Sequence, residues 1–167
     1  MLFLVATPIG NLGDITARAL ETLRAADVIA CEDTRRTRKL LTHFEIPTPA
    51  RLISYRQGNE HQAGPRLLAW SEEGRNVAVC SDSGYPGISD PGYRIASAAA
   101  EAGHDYQVIP GASAVPIALL LSGLPTSSYV FKGYPPRKRT AMVRFFEQDR
   151  DMPHTIVAFE SPVRTLK

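Results

Sequence analysis

The 167 residues suffice for one well-buried core, or for one domain and part of a second. With 44% hydrophobic and 22% charged residues, the composition is ordinary and globular, which excludes a disordered chain, a collagen-like repeat and a disulfide-rich scaffold. A formal net charge of +2 calls for no strongly charged partner, although Arg35, Arg36, Arg38 and Lys39 crowd one segment and Arg137, Lys138, Arg139 and Arg144 another, forming either two positive patches or two solvated helix faces.

Residues 2–6 form an apolar run that Thr7-Pro8-Ile9-Gly10-Asn11-Leu12-Gly13-Asp14 breaks, so a strand and then a loop are expected. Ile15, Ala19, Leu20 and Leu23 recur at helical spacing, which predicts an amphipathic helix over 15–25 with Asp14 as its N-cap. Residues 28–31 read as a second strand ending on Glu32-Asp33-Thr34, followed by a helix over 35–44. A short third strand is expected at 52–54. The apolar positions Leu67, Leu68 and Trp70 predict a helix, and Gly64-Pro65 inside the stretch 59–70 places its regular start at Pro65. Residues 76–80 make a fourth strand, 93–102 an alanine-rich helix closed by Gly103, 106–109 a fifth strand, and 114–121 an apolar helix capped by Ser113.

Strands alternating with helices imply an α/β fold: a parallel-sheet N-terminal domain with helices on both faces, followed by part of a second, smaller α/β domain. The polar Gly/Pro stretch 122–128 reads as a linker between domains at 1–121 and 129–167. In the second domain a strand (129–131), a helix (140–148) and a strand (155–159) are too little to bury a core alone. Cys31 and Cys80 each end an apolar run and read as buried reduced thiols. The N-terminal stretch has no basic n-region and no segment approaches a membrane-spanning length, so a soluble, cytoplasmic protein with no membrane partner is expected.

Residues 76–92, NVAVCSDSGYPGISDPG, organise the candidate site. An apolar strand stops at Ser81-Asp82, and three glycines (Gly84, Gly87, Gly92) and two prolines (Pro86, Pro91) then fix an irregular path. Such a loop at a strand's C-terminal edge is where open α/β sheets bind ligands; a tight crossover with no ligand is the alternative. The chain has no P-loop, HExxH or CxxC, and the first loop lacks GxGxxG. Gly111-Ala112-Ser113-Ala114-Val115 fails the hydrolase elbow at its fifth position. His43, His61, His104 and His154 are scattered and read as surface or satisfied residues. A parallel sheet brings four distinctive strand ends, at Thr7, Glu32, Asp82 and Pro110, to one edge. Carboxylates there suit a cation or a hydroxyl-rich ligand, and arginines suit phosphate or carboxylate.

Five ordered motifs, residues 5–16, Glu32-Asp33-Thr34-Arg35, Gly84-Tyr85-Pro86-Gly87-Ile88-Ser89-Asp90-Pro91-Gly92, Pro110-Gly111-Ala112-Ser113-Ala114 and Gly123-Leu124-Pro125, resemble those of the ribosomal RNA small subunit 2′-O-methyltransferase I family. That family belongs to the tetrapyrrole methylase superfamily of class III S-adenosylmethionine (SAM) methyltransferases. Phe131-x-Gly133 and Glu160-Ser161-Pro162-x-Arg164 extend the similarity into the second domain.

The resemblance implies SAM in a cleft between two domains, held by Pro8, Asp82, Ser83, Gly84, Tyr85, Ile88, Ser113 and Ala114, with methyl transfer to a ribose 2′-hydroxyl of a cytidine in ribosomal RNA and no metal. It implies a homodimer. Glu32 or Asp33 would take the hydroxyl proton and Arg35 would hold a phosphate or orient the carboxylate, though these three also suit a salt-bridged helix start. Asn59, Glu60, Arg137 and Lys138 would contact the RNA. A tetrapyrrole methyltransferase and a non-catalytic SAM- or RNA-binding module are the other readings. The chain departs from the family at Ser83 and Tyr85, where Ala and Thr are usual, at Arg56 and Gly58, which replace two histidines, and at Val163, which replaces another. Tyr85 is bulky enough to intrude on the cofactor or stack against it.

Overall fold

The short β-branched and aliphatic runs become strands that pair in one direction only. A computed structural model describes residues 1–165. The last two residues of the expected second domain, 166–167, lie outside the described residues. Strands β1 (Leu2–Val5), β2 (Val28–Cys31), β3 (Arg51–Ser54), β4 (Val77–Cys80) and β5 (Tyr106–Ile109) form one parallel sheet in the order β3-β2-β4-β1-β5. The register pairs Val5 with Cys80 and Ile109, and Cys31 with Cys80 and Ser54, so all five C-terminal ends reach the same edge.

Alternation along each strand divides the core between the two faces. Leu2, Leu4, Val28, Ala30, Val77 and Val79 pack under α3 (Glu60–Glu72) and α4 (Tyr93–Glu101). Val5, Ile29, Cys31, Ala78, Cys80 and Ile109 pack under α1 (Ala17–Ala25) and α2 (Thr34–His43). Both cysteines are free and buried, as expected, and burial pushes their thiols up in pKa. β1 leads to α1 on one face while the adjacent β4 leads to α4 on the other, the switch in connection at which open sheets take ligands at the carboxyl edge.

Two helix starts differ from expectation. Asp14 is not the cap of α1: a 3-10 turn at Leu12–Asp14, held by Asn11 Oδ1 accepting from Gly13 N, takes up that stretch, and Thr16 caps the helix from Ala19 N. Helix α3 begins at Glu60, five residues before Pro65. Proline removes one helical donor, but the preceding Gly64 has no Cβ to meet the pyrrolidine ring, so the helix runs through Pro65. The first turn is pinned independently, since Asn59 Oδ1 accepts from Arg56 N at 2.8 Å and its Nδ2 donates to Ser54 O at 2.8 Å.

The described chain divides into two compact units, Met1–Ser113 and the residues from Ala114 on. The second holds α5 (Ala114–Ser122), the parallel pair β6 (Tyr129–Phe131) and β7 (Thr155–Val157), α6 (Arg139–Glu147) and the short α7 (Pro162–Thr165). This division falls ahead of the linker read at 122–128, because α5 packs on β7. No residue of α6 is buried, in keeping with so small a set of elements.

Candidate active site

The β4 loop is stitched to the end of β1. Thr7 N donates to Gly84 O at 2.9 Å and Gly84 N to Thr7 O at 3.0 Å, while Ser81 Oγ also donates to Gly84 O. Beyond this bridge the chain folds back on itself through Gly87 N donating to Pro91 O at 3.0 Å. Gly92 has a φ of +140°, and a Cβ there would stand 2.6 Å from Gly87 N and 2.8 Å from Pro86 C. Only glycine permits that approach. The phenol of Tyr85 turns toward the next strand end, where its oxygen accepts from Gly111 N at 3.0 Å. Tyr85 therefore braces the loops after β4 and β5. Gly84 has spent its own amide groups on Thr7, so the outward-facing parts of the loop are Ser83 and Ser89, both exposed, and Ile88, 48% exposed.

Four carboxylates line the same edge, in two distinct conditions. Asp33 caps α2 by accepting from Arg35 N at 2.8 Å, and its two oxygens take Arg35 Nε and an Arg35 terminal nitrogen at 3.1 and 2.7 Å. These bonds from Arg35 hold its pKa well below the usual carboxylate range. Asp82 is also engaged, accepting from Asp33 N at 3.0 Å and lying 3.5 Å from the Arg36 guanidinium. Glu32 and Asp90 have no such partner among the described residues. Burial first, and then the neighbouring charges of Asp90 and Asp82, raise the pKa of Glu32; burial and Asp82 raise that of Asp90. A recess of about 190 Å³ opens beside this edge, lined by Thr7, Pro8, Leu12, Thr37, Leu40, Asp82 and neighbours, with Arg36 and Lys39 at its rim.

Two residues expected to touch substrate are engaged within the protein. Glu60 is buried, its Oε1 accepting from Tyr55 Oη at 3.3 Å and from Gly92 N at 3.2 Å, with Arg94 Nε 3.7 Å from its other oxygen. It ties α3 to the glycine loop. Asn59 braces the turn before α3, as described, rather than presenting a free amide. For Glu60 the cause is burial: the Gly92 amide and the Tyr55 hydroxyl would otherwise be left without a partner in the interior. Asp33 and Arg35 adopt the helix-start pairing that was the alternative reading of that motif.

The structure brings Pro8, Asp82, Ser83, Gly84, Tyr85, Ile88, Glu32, Asp33 and Arg35 to the carboxyl edge of the first unit, and Ser113 closes that unit. Ala114, Arg137 and Lys138 belong to the second, all three exposed. Tyr55 and Asp90 also shape the edge and were not among the site residues expected from the sequence. Asp90 lay inside the quoted loop motif, whereas nothing local marks Tyr55.

A family model described as tetrapyrrole (corrin/porphyrin) methylases matches residues 1–167. The chain is 48% identical over 163 residues to a Halalkalibacterium halodurans protein named ribosomal RNA small subunit methyltransferase I, covering 98% of this chain and 56% of that protein. It spans a little over half the length of such curated relatives. Among solved structures it is similar to uroporphyrin-III-C-methyltransferase from Thermus thermophilus, with a TM-score of 0.57, 26% identity and coverage of 80% of this chain and 58% of that one. Diphthine synthase shares the fold at a TM-score of 0.66 and 17% identity, covering 96% of this chain and 64% of its own.

Proposed function

This chain belongs to the tetrapyrrole (corrin/porphyrin) methylase family, and from that premise we propose that it serves a SAM-dependent methyltransferase acting on a ribose 2′-hydroxyl, of cytidine, in small-subunit ribosomal RNA. The observation that carries this reading is the meeting of Glu32, Asp82 and Asp90 beside an exposed, glycine-shaped loop. Mutually repelling carboxylates at a half-buried edge fit a cationic sulfonium, whose charge would relieve them. The exposed side chain of Ile88 and the ring of Tyr85 fit the apolar faces of an adenosine.

SAM would be held by Pro8, Asp82, Ser83, Gly84, Tyr85 and Ile88, together with Ser113 and Ala114, and it supplies a methyl group already attached to a good leaving group. The protein's remaining work is alignment and removal of a proton from a weakly acidic alcohol. Of the two carboxylates in the Glu32-Asp33 motif, Glu32 is the better proton acceptor. Its oxygens have no partner among the described residues and its raised pKa brings it nearer the working pH, whereas Asp33 is paired with and tied by Arg35. Asp33 and Arg35 then act by fixing the start of α2 beside Glu32. Arg137 and Lys138, exposed at the start of α6, would meet RNA phosphates. The same reading takes the second unit as belonging to the family's second α/β domain, and the whole as a cytoplasmic homodimer.

The test is methyl transfer by the wild type and Glu32→Gln, on undermodified small-subunit RNA and on a porphyrinogen, beside calorimetry with SAM. Transfer to RNA, with kcat lowered about 10²–10⁴-fold in Glu32→Gln at saturating SAM, is expected. Transfer to the porphyrinogen alone would carry the tetrapyrrole reading instead. Heat of SAM binding without transfer to either would leave a binding module.

A further inference from the structure

We propose that the exposed face of α2 is a docking rail for the phosphodiester backbone of the RNA strand leading into the site; this rests on the methyltransferase reading above. Within Thr34–His43 the chain carries Arg35, Arg36, Arg38 and Lys39 and no acidic residue. Thr37 and Leu41 hold the helix to the sheet, and the four cations, Thr42 and His43 all face outward. Two effects oppose this arrangement in the isolated protein. Arg35 with Lys39 stand four apart, and Arg35 with Arg38 and Arg36 with Lys39 three apart, spacings at which like charges repel on one helix face. The cations also crowd the first turns, where the helix dipole is positive and favours anions. A helix that keeps like charges against both effects is shaped for an anionic partner.

Only part of that charge is answered internally. Arg35 pairs with Asp33 and Arg36 with Asp82, while Arg38 and Lys39 form no ion pair among the described residues. A broad, open recess of about 500 Å³ runs along Arg35, Arg38, Lys39, Thr42 and His43. Lys39 also stands at the rim of the smaller recess beside Asp82, so the rail is continuous with the carboxyl edge. From Arg35 to His43 the helix advances about 12 Å, at ~1.5 Å per residue. One nucleic-acid strand in duplex geometry presents three or four phosphates over about that length, at ~3.4 Å each. A regular polyanion therefore fits the spacing better than a single phosphate would.

The experiment compares the full chain with Arg38→Glu, a charge reversal at a residue outside the catalytic set, the cofactor set and the recess beside Asp82. An undermodified small-subunit RNA hairpin is titrated at several salt concentrations, SAM binding is measured by calorimetry, and thermal melting is followed. The expected result is a log K against log[salt] slope smaller in magnitude by about 1–2 in the variant, with RNA affinity at low salt down at least about tenfold. SAM affinity should be unchanged, and Tm unchanged or raised, because repulsion has been removed. RNA affinity and salt slope equal to wild type would overturn the rail while leaving methyl transfer intact, and so would failure of the wild type to bind the hairpin at low salt. Absence of SAM binding in the wild type would instead strike the function proposed above.

Discussion

Gly92 offers the sharpest test of how the loop is built. In Gly92→Ala a methyl group enters at a φ of +140°, 2.6 Å from Gly87 N, 2.8 Å from Pro86 C and 3.0 Å from Pro86 Cβ. The first two neighbours are backbone atoms of a segment held by Pro91 O and Thr7, so no side chain can swing aside to make room. Backbone strain of about 1–3 kcal/mol and overpacking of a further ~1–3 kcal/mol give roughly 2–6 kcal/mol together, a large share of a typical total of ~5–15 kcal/mol. At ~2–4 °C per kcal/mol for a chain of this size, Tm should fall by at least roughly 4 °C. Relief comes only by opening the Gly87 to Gly92 fold, which carries Ile88, so SAM affinity measured by calorimetry should drop about tenfold or more, ~1.4 kcal/mol. Gly74→Ala is the control. Its φ is +89° but nothing lies within 4 Å of the added methyl, so it should lose only about 1–2 kcal/mol of backbone strain and leave SAM binding alone. Wild-type melting and SAM affinity in Gly92→Ala would refute the loop account.

Glu60 provides a second check. Glu60→Ala strands the Gly92 amide and the Tyr55 hydroxyl in the interior, at about 1–3 kcal/mol each, whereas Glu60→Gln keeps an acceptor and loses mainly the contact with a largely exposed Arg94. Urea unfolding should therefore rank wild type close to Gln and well above Ala; equal losses would show that charge, not the acceptor, matters. The two carboxylate conditions at the sheet edge should also separate by pH. Asp33 has a depressed folded pKa, so its contribution is present above the ordinary Asp value of about 4 and is lost as pH falls through the folded one. The deficit of Asp33→Asn against wild type should accordingly shrink on acidification. Glu32 has a raised folded pKa, so its ionised form costs stability at neutral pH, and Glu32→Gln should melt above wild type there and converge with it below about pH 4. Parallel pH profiles for the two variants would contradict the opposite environments.

Several elements follow from local chemistry and are legible in the order of residues alone. The apolar runs of β1, β2 and β4 form the parallel centre of the sheet because both of its faces are covered there, and glycine and proline after Cys80 marked the irregular loop because few other residues can take that path. The family motifs added the chemistry to that frame. Helix starts were legible only where a single cap competed, and Thr16 displaced Asp14 because a 3-10 turn had already used the nearer residues. Tertiary structure alone decided which polar groups are free. Glu32 and Asp33 are neighbours of the same charge in the chain. One meets Asp82 and Asp90, some fifty residues on, and is raised, while the other finds Arg35 and is depressed. Glu60, expected to contact RNA, is instead claimed by the amide of Gly92 at the start of α4. The surroundings of Glu32 and Glu60 depend on residues remote in sequence, of which local patterns carry no record, whereas the pairing of Asp33 with Arg35, two residues on, is local and legible as a helix start.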